Sequence, residues 1–482
     1  MSLVGCAARS LVGRHAERAA YGAYLRGLML ERSSHFSEAL EAYRAALEHD
    51  HRSPQLHVRL GATYVKLGDT EKALHAFSKA LALQPEHPDA LRWVGMLYAS
   101  QGRLDHAIAA YRQFLAVQPD DQFIMSALAD LYVMQGELVP AVELYQRLLQ
   151  ETGSSSQLHF NLGVLDGRLG RFADALHELS RAFELAPSSI EVRVALGLTY
   201  ELMGQPDRAA AHFEDAIRLD PFNPKLYHHA AQAYLLDKRF GEAAASYQAA
   251  LDLAPQDLEA IMGLVRVWLA QGRFDRAAEF LAAKLDALGR PPELYVALGI
   301  VYREAKQDTE ALRAFERAIS LRDEYAQAHF YLAAQLDQLG RRAEARASLR
   351  KTLALEPNHL DAMNYLGYMD AEDGVNLHEA RALIERAVAV EPENGAYTDS
   401  LGWVYFKLGK IDEAIAALER AAALVDSDPV IFDHLGEVYL KRRQFDKARD
   451  NWERALRLDP RRQAIREKLQ QLLLQEVIVA AP

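Results

Sequence analysis

Along most of this chain apolar residues return every three or four positions within blocks of about 12–14 residues, the pattern of amphipathic helices rather than strands. The blocks come in pairs. Leu56 to Lys66 predicts one helix and Thr70 to Leu83 a second, with Gly68-Asp69 as the turn between them and Gln84-Pro85 ending the pair. The pair then repeats. Alanine recurs at Ala39, Ala73, Ala107, Ala141, Ala175, Ala209, Ala243, Ala277, Ala311, Ala345, Ala380, Ala414 and Ala448, in steps of 34 residues except one of 35 between Ala345 and Ala380. Twelve residues before each alanine (thirteen in the longer unit) stands a second small residue, such as Gly61, Gly197, Gly436 or Ala129, and only Val265 breaks this column. Two antiparallel helices pack closely only where a side chain is nearly absent. Gly61 and Ala73 are expected to make that approach, with Tyr64 and Phe77 filling the space beside it and Leu60 and Ala80 completing the seam. Self-similarity at this period predicts a stacked array in which each hairpin buries its apolar face against the next.

Composition agrees with an array and removes other classes. A chain of 482 residues exceeds one compact core, and 50% hydrophobic residues exclude global disorder. The formal net charge of −12 opposes binding to a nucleic-acid backbone. No apolar run approaches the roughly 20 residues that span a bilayer. Cys6 is the one cysteine, so neither an internal disulfide nor a four-cysteine zinc site can form. No Gly-rich phosphate loop, Gly-x-Ser-x-Gly elbow or His-Glu-x-x-His helix occurs, so no catalytic residue, cofactor or small-molecule substrate is expected. His49-Asp50-His51 falls in a turn and reads as solvated rather than as a metal ligand set. His228-His229 points to two helix faces and is a poor chelate.

The units Leu60-Gly61…Tyr64…Ala73…Phe77…Ala80…Pro85 and Leu196-Gly197…Tyr200…Ala209…Phe213…Ala216…Pro221 resemble the tetratricopeptide repeat, and proline closes eight of the units. The resemblance covers residues 20 to 462. It implies an all-α, right-handed superhelical solenoid of thirteen helical hairpins, in which the first helix of each hairpin (helix A) lines a concave face and the second (helix B) lies outside. Domain organisation then reads as an N-terminal segment 1–19, units one to eight over 20–291, units nine to thirteen over 292–462, and a capping helix and tail over 463–482. Gln463 to Glu476 is expected to cap the array, with Ile465, Leu469, Leu472 and Leu473 on one side. Residues 441 to 468 carry eleven Lys or Arg against five Asp or Glu, read as a solvated capping face or as a docking surface for an acidic partner.

The same resemblance implies that partner proteins or peptides bind in the concave groove. Its residues would include Arg92, Met96, Phe160, His228, Gln232 and Arg266 in the earlier units, and Phe330, Asn364, Tyr368, Asp399, Trp403 and Phe406 in the later ones. Tyr368 and Trp403 occupy equivalent places in adjacent units, so the C-terminal part is expected to be the preferred surface, unless these rings bury against neighbouring helices. Family members that grip a chaperone's C-terminal carboxylate use paired Lys and Asn; the matching places here hold Val58, Ala62, Arg92 and Met96, so that clamp is absent. Three irregularities stand out. Val265 and Lys284 disturb the eighth unit, which ends in Gly289-Arg290-Pro291-Pro292 and reads as a joint or as a degenerate unit stacking normally. Asp373-Gly374-Val375-Asn376-Leu377-His378 holds the extra residue of the eleventh. Asp166 and Asp370 place carboxylates in a column that is usually aromatic, either reached by solvent or paired.

Leu3-Val4-Gly5-Cys6-Ala7-Ala8 resembles the end of a bacterial lipoprotein signal, in which the cysteine is lipidated, although the charged start and apolar stretch that precede such a cysteine are missing. The C-terminal runs Asn364-Tyr365-Leu366-Gly367-Tyr368, Gly395 to Trp403 and Asp433-His434-Leu435-Gly436 resemble bacterial envelope proteins that commonly carry such signals. The expectation is a scaffold or adaptor in the periplasm, anchored through Cys6. The alternatives are a self-associating assembly factor, or a cytoplasmic co-factor of a separately encoded enzyme.

Overall fold

The computed structural model describes the backbone of residues 3–480 and the side chains of residues 17–473. Among the described residues there are 27 helices and no strand. They form thirteen consecutive helical hairpins and a terminal helix, Gln463–Ala480. None of these helices is long and apolar enough to cross a membrane. The chain divides into two compact units, Met1–Leu253 with hairpins one to seven and Ala254–Pro482 with hairpins eight to thirteen and the terminal helix. That division precedes the eighth hairpin, whereas the sequence suggested a joint at its far end.

Hairpin two shows how a unit is built. Its helices are Pro54–Lys66 and Thr70–Leu83. Ser53 starts the first by accepting from the Leu56 N–H at 3.4 Å, and Pro54 enters where no N–H is needed. Gly68, at a φ of 77°, turns the chain, and Asp69 caps the second helix by accepting from the Lys72 N–H at 3.1 Å. The small column has a specific partner. A Cβ on Gly61 would lie 2.7 Å from the Phe77 ring, and one on Gly197 2.6 Å from Phe213. The residue that requires glycine is therefore the large ring on helix B; Ala73, fully buried, packs beside it.

Hairpins also hold one another along the outside. Six residues after the repeat alanine, a cation on helix B reaches back to a carbonyl of the preceding turn. Arg147 donates to the Pro119 carbonyl at 2.9 Å, Arg386 to Pro357 at 2.9 Å and Arg420 to Pro392 at 2.6 Å. These carbonyls follow the ends of helices, where positive charge is favoured. Part of the basic C-terminal stretch is used in the same way, since Arg454 donates to the Asp426 carbonyl at 3.4 Å. Lys468 lies 2.8 Å from Asp433 and 2.7 Å from Glu437. Ile465 and Leu472 are buried under the terminal helix, but Leu473 is exposed and leaves the apolar side expected for it.

The irregular units resolve locally. In hairpin eight (Leu258–Ala270, Phe274–Ala287) Val265 and Leu281 are both buried, and Leu285 replaces Lys284 as the buried residue. Lys284 turns outward, donates to the Pro255 carbonyl at 3.1 Å and lies 5.5 Å from the Phe280 ring centre. In hairpin eleven (Leu360–Asp373, Leu377–Val390) the buried Asp370 is paired. Arg346 donates to it at 2.5 Å and Asn376 at 3.1 Å, so the carboxylate holds the lengthened turn. Asp166 is also buried; burial raises its pKa, and Arg171 at 3.5 Å opposes that shift. The first helix runs Leu3–Arg32 without a break, so residues 3–19 of the expected N-terminal segment are continuous with the first helix of the array.

Candidate functional site

In the first compact unit the expected groove residues are scattered in role. Met96 is exposed and Phe160 and Gln232 are half-buried. Arg92 is a brace: its guanidinium lies 2.8 Å from Asp121, the residue that caps the first helix of hairpin four, and 5.3 Å from the Phe114 ring centre. His228 meets the Tyr247 ring edge-on at 6.1 Å, while His229 stacks on Phe213 at 5.2 Å. The two imidazoles thus serve different packing contacts, as their adjacent positions on one helix require.

In the second compact unit an open recess of about 280 Å³ lies along the A helices of hairpins eight (Leu258–Ala270), nine (Pro292–Glu304) and ten (Ala326–Gln338). Leu258, Met262, Val296, Ile300 and Tyr325 give it an apolar lining, with Glu259, Glu293 and Gln327 at the polar positions. Met262 and Val296 are the fifth residues of their helices and Ile300 the ninth, the register expected from the resemblance to line the groove. The polar groups are held. Arg322 bonds Glu293 at 2.5 Å and lies 4.2 Å from the Tyr325 ring centre, and the Tyr325 hydroxyl donates to Gln327 at 2.9 Å. Of the expected residues only Arg266, which is exposed, and Phe330, stacked on His359 at 4.9 Å, lie on these helices. Met262, Val296 and Ile300 were missed because large and polar residues were sought at those positions; a run of moderate aliphatics there was the signal.

The expected C-terminal surface is closed. It comprises the A helices of hairpins eleven (Leu360–Asp373), twelve (Gly395–Lys407) and thirteen (Pro429–Lys441). Trp403, read as an exposed anchor, is buried at 8% exposure. His434 from the next hairpin stacks on its ring at 4.1 Å and 18°, and Phe406 leans on it at 5.1 Å. Asp399 is buried as well, and its carboxylate is 2.9 Å from His434 Nδ1. Tyr368 is half-buried 6.1 Å from His434; burial, then Glu372, raises its pKa. Asn364 is half-buried with its Oδ1 lacking a hydrogen-bond partner, and Trp403 Nε1 lacks one too. Here the alternative raised from the sequence, rings buried against neighbouring helices, is the arrangement found.

The side chain of Cys6 lies outside those described. Among the described residues no group of three His, Cys, Asp or Glu side chains could hold a metal ion.

Comparisons with known proteins follow this architecture. Family models described as tetratricopeptide repeat match residues 58–121, 101–156, 160–224 and 369–429, and others of the same description match 234–295, 292–325, 326–351 and 429–462. A TPR repeat-containing protein of Pseudomonas aeruginosa is 38% identical over 69 residues, 14% of this chain and 12% of that protein. The chain thus spans about an eighth of the length of this curated relative. Among solved structures, similarity is found to the APC/C hetero-tetramer Cut9–Hcn1 at 15% identity and a TM-score of 0.45, over 94% of this chain and 96% of that one. Yeast Tom70 is similar at 17% identity and a TM-score of 0.42, over 94% and 99%. The MamA protein matches 36% of this chain with 94% of its own length, at 24% identity and a TM-score of 0.34.

Proposed function

This chain belongs to the tetratricopeptide repeat family, and on that premise we propose that it is a non-enzymatic scaffold whose A-helix faces bind partner proteins or peptides, with the recess of hairpins eight to ten as the principal contact. The carrying observation is that the half-buried Met262 and Ile300 line an open recess together with the buried Val296, whereas Asp399 and Trp403 at the same register positions of hairpin twelve are both buried. An apolar floor with a few fixed polar groups suits a peptide side chain inserted between helices. Ile300→Trp would place a ring in the recess, and a far-UV circular dichroism spectrum equal to the parent's checks that the hairpins stay folded. Affinity capture with purified Ile300→Trp should lose at least one partner recovered by the parent chain. Recovery of every partner at parental levels would remove the recess from the binding surface.

We further propose that the scaffold works at the bacterial cell envelope, held there by a lipid on Cys6. This reading is supported by the likeness of Leu3 to Ala8 to a lipidation site. Labelled palmitate should enter the chain expressed with its native upstream sequence and not Cys6→Ala; equal labelling of both, or of neither, would overturn the anchor at Cys6.

A further inference from the structure

A second cleft, of about 570 Å³, lies at the start of the first compact unit and is unrelated to the recess described above. Glu17, Tyr21 and Tyr24 of the first helix form one wall, Gln55 and Leu56 of hairpin two form the other, and Asp50 stands in the intervening turn. Its character differs from that of the Met262–Ile300 recess. Two aromatic rings and two carboxylates face the same space, with Leu56 as an apolar contact. Tyr21 is exposed at 64%. The walls are braced from behind. Tyr24 leans on Tyr43 at 6.1 Å, the Tyr43 hydroxyl donates to Glu31 at 2.6 Å, and Gln55 is 3.0 Å from His87 Nε2. Among the described residues neither Glu17 nor Asp50 forms an ion pair; neither Lys nor Arg lines the cleft, and the exposed His49 is its one basic lining residue.

We infer that this cleft receives an arginine or lysine side chain of a partner polypeptide. A cation is attracted by the negative faces of tyrosine rings and by both carboxylates, while its methylene stem packs along Leu56 and the ring edges. The charge of the lining excludes an acidic segment, and the carboxylates make a purely apolar one a poor occupant. The turn His49-Asp50-His51 thereby gains a use other than metal binding: Asp50 is presented to a cation carried by a protein. Because the cleft and the recess lie in different compact units, a partner can engage either without the other.

The test uses fluorescein-labelled peptides Gly-Ser-Leu-X-Leu-Ser-Gly in which X is arginine, lysine, norleucine or glutamate, titrated with the full chain and followed by anisotropy. The arginine and lysine peptides should bind saturably, and norleucine and glutamate about tenfold or more weakly, with the difference shrinking as salt rises. Tyr21→Ala should weaken the arginine peptide by about threefold to fivefold, and Asp50→Asn by a similar factor. Tyr21 and Asp50 are exposed, so these variants are expected to keep the fold. Ile300→Trp should bind the arginine peptide as the parent does, which separates failure here from failure of the recess. Equal binding of the norleucine peptide, absence of saturable binding, or indifference to both cleft variants would overturn the inference.

Discussion

Hairpins eight to ten and hairpins eleven to thirteen share one backbone plan yet end as opposite surfaces. At the fifth and ninth places of helix A the first set holds Met262, Arg266, Val296, Ile300, Phe330 and Ala334, and Met262, Val296 and Ile300 line an open recess. The second set holds Asn364, Tyr368, Asp399 and Trp403 in the same register, and the space is occupied by the protein itself. The difference arises between repeats. Trp403 is buried because hairpin thirteen contributes His434, which stacks on the indole and meets Asp399. Ile300, by contrast, stays half-buried where it packs beside the cluster of Val296, Phe315 and Ala328. In an array whose backbone repeats, whether a face is a site or a seam depends on the size and pairing of two residues per helix and on what the neighbour places against them.

The strongest way to break this contrast is truncation on both sides of it. Trp403→Ala should cost about 3–5 kcal/mol, because it empties a packed position under His434. Ile300→Ala, at a half-buried position lining an open recess, should cost roughly 1 kcal/mol. Repeat arrays unfold by neighbouring units rather than all at once, so amide hydrogen exchange is the suitable readout. Protection should fall across 395–441 for the first variant and scarcely change for the second. Equal losses would mean that the recess is as tightly packed as the cluster.

A finer comparison concerns Trp403 and Trp452, two of the three tryptophans of the second unit. Trp452 is buried and its Nε1 donates to Asp433 at 3.0 Å, whereas Trp403 Nε1 has no partner. Replacement by phenylalanine keeps most of the apolar volume and removes the N–H. Trp403→Phe should therefore cost about 1 kcal/mol, and Trp452→Phe about 2 kcal/mol, the difference being the hydrogen bond to a charged acceptor. Urea midpoints of the two variants decide this. A larger loss at Trp403 would show that its N–H is satisfied and that the cluster is more completely paired than its geometry indicates.

These contrasts also explain how far the sequence could be read. The hairpins were legible because the small-residue column is a local steric demand: Gly61 must admit the Phe77 ring sixteen residues later within the same hairpin. Hairpin two accordingly begins and ends within two residues of where its pattern placed it. Asp370 was legible as an anomaly but not as a solution, since its partners Arg346 and Asn376 come from the preceding hairpin and from the extra-residue turn. The site was the least legible part. Aromatic residues at inward positions advertise contact area, yet whether a partner or the next hairpin takes it depends on a stacking residue such as His434, 31 positions further on. Aliphatic residues such as Met262 and Ile300 are a weaker signal than a ring, although they line the recess.

The smallest expected effect tests the electrostatic edge of the closed region. Asp373 ends helix A of hairpin eleven, where Arg346 bonds it and Arg342 Nε lies 3.1 Å away. The Arg346 hydrogen bond first, and the charge of Arg342 with it, lowers its pKa below the ordinary value of 3.8. A folded-state pKa below the unfolded one means that the unfolded chain takes up the proton first as pH falls. The stabilisation is therefore complete above the ordinary value and is lost as pH drops through the folded one. The carboxylate is about a third exposed, so screening keeps the contribution under about 1 kcal/mol. Asp373→Asn should lower the urea midpoint slightly at pH 7, and its gap to the parent chain should close by pH 2. A gap that widened in acid would reverse the sign of the linkage, and Asp373 would then be a charge tolerated by the turn rather than one that Arg346 and Arg342 hold in place.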